Sequence, residues 1–203
     1  MYEYMRGELV AIHPLYIVVD VQGIGYQIYV ANPYRFSTSL NEEVKVYIYQ
    51  AIREDAMTLY GFLDEYEKQL YLKLISVSGI GPKSGLTILA NGDFHGLIQA
   101  IEAEDVRYLT KFPGVGKKTA SQIILDLKGK LTDLIDGVEV PVIPTQTSFD
   151  SKSPFFAEAE EALKGLGYTV KDIARIMPQL EQDDSFQSTE EVLRQAFKLL
   201  LKN

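Results

Sequence analysis

The residues of this chain best suited to bind an anion lie in two short segments that read almost alike. The first is Ser78-Gly79-Ile80-Gly81-Pro82-Lys83-Ser84-Gly85, and the second is Pro113-Gly114-Val115-Gly116-Lys117-Lys118-Thr119-Ala120. Each places an aliphatic residue between two glycines and continues with lysine, a hydroxyl residue and a small residue. Two copies in the same register predict a pair of helix-hairpin-helix turns, which bind phosphates through the backbone.

Each part of the repeated pattern has a physical reason to hold a phosphate. Glycine accepts positive φ, so Gly-x-Gly permits a tight turn and lets a phosphate approach the backbone. The helix that follows begins with unpaired N–H groups and the positive end of its dipole, which attract anions. A lysine in that turn opposes the dipole, so it is best explained by an external anion. The predicted backbone-binding residues are Gly79, Ile80, Gly81, Lys83, Ser84, Gly114, Val115, Gly116, Lys117, Lys118 and Thr119.

Two other interpretations of the glycine pairs are weaker. A plain turn between helices explains one Gly-x-Gly but not two copies in one register. A nucleotide-binding glycine loop needs a preceding strand, whereas the segments 71–75 and 106–109 have helical spacing. Gly23-Ile24-Gly25 has the same form, but an alternating strand follows it, which predicts a simple turn.

The composition describes a globular chain and excludes several kinds of site. The 203 residues are 46% hydrophobic and 24% charged, and they include no cysteine and two histidines, His13 and His95. Disulfides and cysteine-ligated metals are therefore excluded, and a histidine-built metal site is not expected because the two histidines lie far apart. With no apolar run of membrane-spanning length and no signal-like start, we expect a cytoplasmic protein without cofactors.

The net charge of −8 argues against nucleic-acid binding until its distribution is considered. Residues 1–63 carry a net charge of −3 and residues 137–203 carry −4. Residues 64–136, which contain both glycine pairs, carry −1 and hold nine of the twenty basic side chains. The sequence therefore predicts a local cationic surface on an acidic protein.

The first sixty residues predict a small β-barrel. Five short runs rich in β-branched and aromatic residues are predicted to be strands. This number and length fit a five-stranded barrel of the OB type. The predicted strands are 7–12, 16–21, 26–30, 44–49 and 57–62.

From Asp64 the apolar period becomes helical, which gives an α+β fold class with several domains. Asp93 and Asp105 are suited to cap two of the central helices. The predicted central helices are 65–76, 94–103, 106–112 and 117–134, and the predicted tail helices are near 155–166, 170–177 and 189–201. The predicted divisions are a barrel at 1–63, a tandem hairpin domain at 64–136, a flexible proline-containing linker at 137–154 and a three-helix module at 155–203. The valines of the linker leave a docked strand open.

Together these parts resemble the RuvA family, the Holliday-junction-binding subunits of the bacterial branch-migration machine. The resemblance covers the full length and is strongest up to about residue 130. Arg53-Glu54-Asp55-Ala56, followed by Leu59-Tyr60-Gly61-Phe62, resembles the family's pin hairpin and next strand, and both glycine segments resemble its hairpins. Gly85 is a departure, because the hairpin consensus prefers alanine, and we expect looser packing there.

The resemblance implies a non-catalytic subunit that acts in DNA recombination, DNA repair and the SOS response. It implies a homotetramer, alone or paired face to face, that holds a four-way junction open and square-planar through backbone contacts, without base readout. It also implies two protein partners, the motor ATPase RuvB and, in the wider complex, the junction resolvase RuvC. The tail module would bind RuvB, and its apolar candidates, which are equally suited to form its own core, are Leu163, Leu166, Tyr168 and Ile173.

Glu54 and Asp55 lie between two predicted strands, which places them at a hairpin tip. By resemblance, this tip lies at the centre of the tetramer, where its carboxylates repel phosphates and guide separated strands into the arms. A solvated acidic turn is the alternative that the residues alone leave open. A metal-nuclease site is disfavoured, because no third carboxylate or histidine follows at a usable spacing.

Two further functions stay open on the residues alone. Helix-hairpin-helix elements occur in DNA glycosylases with an aspartate about twenty residues beyond the hairpin, where Asp133 and Asp136 lie in this chain. Against that function, no base pocket is evident, and a barrel with a detached tail is a different architecture. The second alternative is a protein-interaction scaffold that uses the tail and contacts DNA incidentally.

Overall fold

The structure, a computed structural model, describes residues 1–131, 152–181, 183 and 186–202. A barrel of five strands comes first, and eight α-helices follow within the described ranges. The strands are β1 (Tyr4–Ile12), β2 (Tyr16–Val21), β3 (Ile24–Val30), β4 (Glu43–Ile52) and β5 (Met57–Phe62). The helices are α1 (Glu65–Ile75), α2 (Pro82–Leu89), α3 (Phe94–Glu102), α4 (Val106–Leu109), α5 (Lys117–Leu127), α6 (Lys152–Gly165), α7 (Val170–Glu181) and α8 (Thr189–Lys202).

The barrel closes in the order β1-β2-β3-β5-β4, with β3 and β5 parallel and the other neighbours antiparallel. Side chains alternate along each strand, so every second residue points into the barrel. Leu9, Ile17, Val19 and Ile28 are completely buried there. The prediction of a five-stranded OB-type barrel and of an α+β fold class is confirmed, although β1, β3 and β4 are longer than predicted.

Of two connections in the barrel, the sequence predicted one and not the other. Gln22 and Gly23 have φ of 56° and 85°, which is the conformation of a tight hairpin turn, so the predicted turn is confirmed. The turn is shorter than predicted, because β3 already begins at Ile24. The 3-10 helix at Pro33–Ser39 was not predicted, and Asn32 caps it by accepting a hydrogen bond from the backbone of Tyr34 at 3.1 Å.

The two predicted N-caps are confirmed in the central helices. The Asp93 carboxylate accepts a hydrogen bond from the backbone N–H of Gly96 at 2.8 Å, and that of Asp105 accepts one from Tyr108 at 3.0 Å. Two predicted helix ends are wrong. Helix α4 ends at Leu109, not at 112, and α5 ends at Leu127, because Gly129 takes a φ of 73°. Residues 132–134 of that prediction lie outside the described residues.

An ion pair between the buried Glu67 and the partly exposed Arg35 joins the helical region to the barrel. The Glu67 carboxylate on α1 accepts hydrogen bonds from Arg35 at 2.9 Å and from the backbone N–H of Leu63 at 3.0 Å. Burial raises the pKa of this carboxyl, and the Arg35 guanidinium opposes that change. The neighbouring Lys68, also buried, pairs with Glu3 on the barrel side. The position of α1, and therefore of the hairpins beyond it, is fixed relative to the barrel.

The tail folds as a three-helix module, as predicted. Helix α6 begins at Lys152, inside the segment predicted to be linker, and residues 137–151 of that prediction lie outside the described residues. The module rests against the central helices. The Thr87 hydroxyl on α2 donates a buried hydrogen bond to the carbonyl oxygen of Leu166 at 2.9 Å, and Lys111 donates one to the carbonyl oxygen of Leu201. Among the described helices, none is long and apolar enough to cross a membrane.

Candidate nucleic-acid interface

The two glycine segments adopt the same backbone conformation. The first glycine of each pair lies in the left-handed region, with φ of 92° at Gly79 and 79° at Gly114. The second glycine of each is extended and is the N-cap of a helix, with φ and ψ of −88° and 173° at Gly81 and −82° and 173° at Gly116. The repeated sequence therefore produces a repeated structure, with one tight turn before α2 and one before α5.

The aliphatic residue between the glycines anchors each turn. Ile80 and Val115 are 5% and 4% exposed, and their backbone N–H groups donate to the carbonyl oxygens of Val77 and Phe112, both at 3.1 Å. The side chains therefore point into the helical core. Their contribution to an interface is to fix the turn, with the glycine backbone on the outside.

The two turns also pack against each other in an exchanged arrangement. A Cβ atom built on Gly79 would lie 3.8 Å from the Thr119 hydroxyl oxygen, and one built on Gly114 would lie 3.7 Å from that of Ser84. Each first glycine thus faces the hydroxyl residue of the other hairpin's helix. The sequence predicted these hydroxyls as phosphate ligands, and the structure adds a packing role that no local pattern could reveal.

The starts of α2 and α5 are open to an incoming group. Neither Gly81 nor Gly116 provides a side chain to cap its helix, and a Cβ at either position would meet nothing within 4 Å. Lys83, Lys117 and Lys118 are all exposed. Two helix N-termini with free N–H groups, bare backbone and adjacent ammonium groups form an arrangement suited to two phosphates.

Small residues bring the helices behind the turns close together. A Cβ on Gly85 would lie 2.8 Å from the Cγ2 of Ile75 and 3.0 Å from the Cε2 of Tyr71, and Ala120 is completely buried. The expectation of looser packing at Gly85 is therefore wrong. Ile75 and the Tyr71 ring occupy the space that an alanine methyl group would need, so α2 approaches α1 closely.

Glu54 and Asp55 lie at the exposed tip of the β4–β5 hairpin, where the backbone N–H of Arg53 donates to Ala56 at 2.8 Å and closes the turn. Ile52 and Met57, at the base of the tip, are 74% and 60% exposed. This exposed apolar pair was not predicted, although its position beside an acidic turn was a signal in the sequence.

No group of three or more metal-ligating side chains comes together within the part of the chain that the structure describes. The groups that the hairpins and the pin present to solvent are backbone N–H groups, ammonium groups and carboxylates.

The candidate motor-binding residues of the tail are buried. Leu163 and Ile173 are 0% and 2% exposed within the module, and Leu166 and Tyr168 are 8% and 6% exposed beside the central helices. The Tyr168 ring packs on Phe197 at 6.2 Å between centroids. Its hydroxyl is buried without a hydrogen-bond partner, and burial raises its pKa.

The tail also borders the second hairpin. The loop after α6 and the turn before α5 line one open cleft, to which Gly114, Gly116, Gly167, Tyr168 and Asp172 contribute. An unpaired buried hydroxyl costs about 1–3 kcal/mol. The contact between the tail and the central helices therefore carries an internal penalty at Tyr168.

A closed barrel joined to paired hairpin turns defines a protein of the tandem helix-hairpin-helix class. Three family profiles match the chain: RuvA N terminal domain over residues 1–61, SAM-like Helix-hairpin-helix tandem over 71–129, and RuvA, C-terminal domain over 154–201. These matches agree with the order of barrel, hairpins and tail module in the structure.

Curated relatives agree over the full length of the chain. A protein of Latilactobacillus sakei is 52% identical over 206 residues, and one of Lactococcus lactis subsp. cremoris strain SK11 is 51% identical over 202, each match covering 100% of both chains. A protein of Limosilactobacillus reuteri is 50% identical over 98% of this chain and 100% of its own. All three are named Holliday junction branch migration complex subunit RuvA. The chain belongs to the RuvA family, and the prediction of an accessory subunit, not a stand-alone enzyme, is confirmed.

Proposed function

We propose that this chain binds four-way DNA junctions by their shape, holds them open and square-planar, and recruits a RuvB motor ATPase for branch migration. The observation that carries the proposal is the pair of uncapped helix N-termini at Gly81 and Gly116, each with bare backbone and at least one lysine in the first turn of the helix. The predicted ligand residues of both hairpins belong to this proposal. Such contacts position DNA without reading its sequence, as branch migration through any sequence requires.

A tetramer would turn these weak contacts into junction recognition. Each subunit offers two phosphate sites, and a four-way junction presents four equivalent arms. Several sites in one assembly bind with high effective concentration when the geometry lets them engage together. Linear duplex would engage fewer subunits, so selectivity would come from the number of subunits that bind at once. A single tetramer and two tetramers face to face are both compatible with this reasoning.

The acidic pin would act at the centre of the assembly. Glu54 and Asp55 are exposed at the end of a two-stranded arm, so their carboxylates can meet a phosphate backbone. Their charge would repel continuous duplex and direct separated strands into the arms. In this proposal the hairpins attract DNA at the arms and the pin excludes it from the centre.

The tail would recruit RuvB after leaving the central helices. Leu166 and Tyr168 are covered in the structure, so a partner that binds them must first displace the Thr87 contact. The partnerless Tyr168 hydroxyl lowers the cost of that displacement. The proposal extends to the predicted domain limits, RuvC in the wider complex and a cytoplasmic location.

The test is a titration at one stated salt concentration, comparing a four-way junction with linear duplex of the same sequence and length. We expect strong preference for the junction and no chemical change in the DNA. Replacing both Lys117→Ala and Lys118→Ala should reduce the slope of log affinity against log salt by about 0.9 for each phosphate that the variant no longer neutralises. Lys45→Ala, on the barrel strand β4, is the matched control and should leave the slope unchanged.

Equal affinity for junction and duplex would contradict junction recognition and leave a general backbone binder. Unchanged junction binding in the double lysine variant would favour the scaffold function. Base release from damaged duplex would support the glycosylase function, whose candidates Asp133 and Asp136 lie outside the described residues.

A further inference from the structure

Four tyrosines form a row across the outer face of the barrel. The strand register aligns Tyr16 with Tyr29, Tyr29 with Tyr60, and Tyr60 with Tyr49. Their ring centroids follow one another at 5.9, 6.2 and 6.4 Å. The barrel interior is already filled by aliphatic side chains, so this row is not part of the barrel core. All four tyrosines are half-buried, which leaves part of each side chain accessible.

The middle of this row opens into a cleft between the barrel and the first hairpin's helix. The cleft has a volume of about 380 Å³ and is lined by Tyr29, Thr58 and Tyr60 from the barrel and by Lys83 and Leu86 from α2. The loop after α6 closes one side. Its lining contains no aspartate or glutamate, and its one charged side chain is a lysine. The cleft therefore combines aromatic rings with a positive charge, although the chain as a whole has a net charge of −8.

A second cation, Arg53 of the pin, acts on one of these tyrosines. Burial raises the pKa of Tyr60, and the positive charge of Arg53 opposes this change. Arg53 lies at the base of the acidic tip, and Asp55 is five residues from Tyr60 along one hairpin arm, or about 17 Å in extended strand. Thr58 and Tyr60, which line the cleft, therefore lie on the same hairpin arm as the acidic tip.

We propose that this cleft binds an unpaired nucleotide of a DNA strand, with the base against Tyr29 and Tyr60 and the phosphate near Lys83. Aromatic rings with adjacent cations are the usual means by which proteins bind single strands without sequence preference. The inference rests on the proposed junction binding for the origin of the strand, and it adds a site for strands that have left one duplex and not yet entered the next.

Tyr29 is the residue to change, because Tyr60 also packs on the buried Tyr71. Tyr29→Ala should weaken binding of a labelled oligothymidylate by about fivefold to a hundredfold, the range for loss of one stacked base. Tyr29→Phe keeps the ring and should retain most of the affinity. Tyr4→Ala removes a tyrosine that is 50% exposed on β1, outside the cleft, and should have no effect. Urea unfolding of each variant shows whether the barrel remains intact.

A second measurement does not depend on removing a side chain. The chain has no tryptophan, so Tyr29→Trp introduces a single reporter in the cleft, and Tyr4→Trp introduces one outside it. Oligothymidylate should quench the emission of the first and not of the second. Thymidine monophosphate, at the same nucleotide concentration, distinguishes a strand from a free nucleotide: equal quenching by the monophosphate would overturn the assignment to a strand.

The outcomes separate this inference from the proposed function. The cleft is not a nucleotide site if Tyr29→Ala and the unmodified protein bind oligothymidylate equally. The same conclusion follows if oligothymidylate neither quenches the emission of Tyr29→Trp nor binds the unmodified protein. Both outcomes hold whatever the result of the junction titration. If the unmodified protein fails to prefer the four-way junction but Tyr29→Ala still loses single-strand affinity, the proposed junction function is wrong and the cleft assignment stands.

Discussion

Replacing Gly116 by serine should make the protein more stable and weaken its binding to DNA. The backbone at this position, with φ of −82° and ψ of 173°, is allowed for any residue, and an added Cβ meets nothing within 4 Å. Serine is a better N-cap than glycine by a few tenths of a kcal/mol. Removing glycine from a permitted position adds about 0.4–1 kcal/mol by restricting the unfolded chain. Together the two contributions give an expected gain in the free energy of unfolding of about 0.6–1.4 kcal/mol.

The same side chain would compete with DNA. A serine hydroxyl at this position would accept the backbone N–H groups of Lys118 or Thr119, which the present structure leaves without a side-chain cap. Those N–H groups are the ones that a phosphate would use. Hydrogen bonds to a charged group are each worth about 1.5–3 kcal/mol. The loss of one such bond should therefore lower the affinity of one subunit for DNA by about tenfold to a hundredfold.

The assay combines urea unfolding with a junction titration at fixed salt. The control is Asp93→Ala, which removes the cap that accepts from Gly96 at 2.8 Å outside the hairpins. It should cost about 1 kcal/mol of stability and leave junction affinity unchanged, the opposite pattern to Gly116→Ser. A Gly116→Ser protein that is more stable but binds the junction with undiminished affinity would refute the assignment of this helix start as a phosphate site.

Three further perturbations test the pin, the helix packing and the barrel junction. Glu54→Gln with Asp55→Asn should tighten binding to linear duplex and narrow the preference for junctions, and unchanged duplex affinity would show that charge repulsion is not the pin's role. Gly85→Ala should cost about 1–3 kcal/mol in urea unfolding because its methyl group has no space, and an unaltered midpoint would contradict the close packing described above. Arg35→Ala should cost about 3 kcal/mol at neutral pH by leaving the Glu67 carboxylate buried without its partner. Since the pKa of Glu67 is raised in the folded state, protonation relieves this cost, so the loss should be small at acidic pH and should grow as the pH rises through that raised pKa; an equal loss at acidic and neutral pH would exclude this cause.

The parts of the fold that the sequence predicted depend on short segments of chain. The strand runs, the turn at Gly23 and the caps Asp93 and Asp105 each involve neighbours within a few positions, where backbone preference decides. Two predicted helices were too long, because apolar spacing continues past the residues at which the hydrogen bonds stop. Gly129, at positive φ, was the available signal for the end of α5.

The contacts that the sequence could not predict join residues far apart in the chain. Arg35 and Glu67 are 32 positions apart, and Thr87 bonds a carbonyl 79 positions away. Each partner alone looks like an ordinary surface residue. The composition of a segment does not reveal such a pair, because the free energy that buries Glu67 comes from the packing of the whole α1–barrel boundary.

The exchanged packing of the hairpins changes how their DNA contacts should be understood. Gly79 faces Thr119, and Gly114 faces Ser84, so neither turn is positioned by its own helix alone. The contacts couple the positions of the two helix N-termini, so the two proposed phosphate sites would act as one unit. A substitution of Thr119 that disturbs this packing should weaken DNA binding by the first hairpin as well as by the second. If the two turns were independent, the same substitution would weaken DNA binding by the second hairpin only.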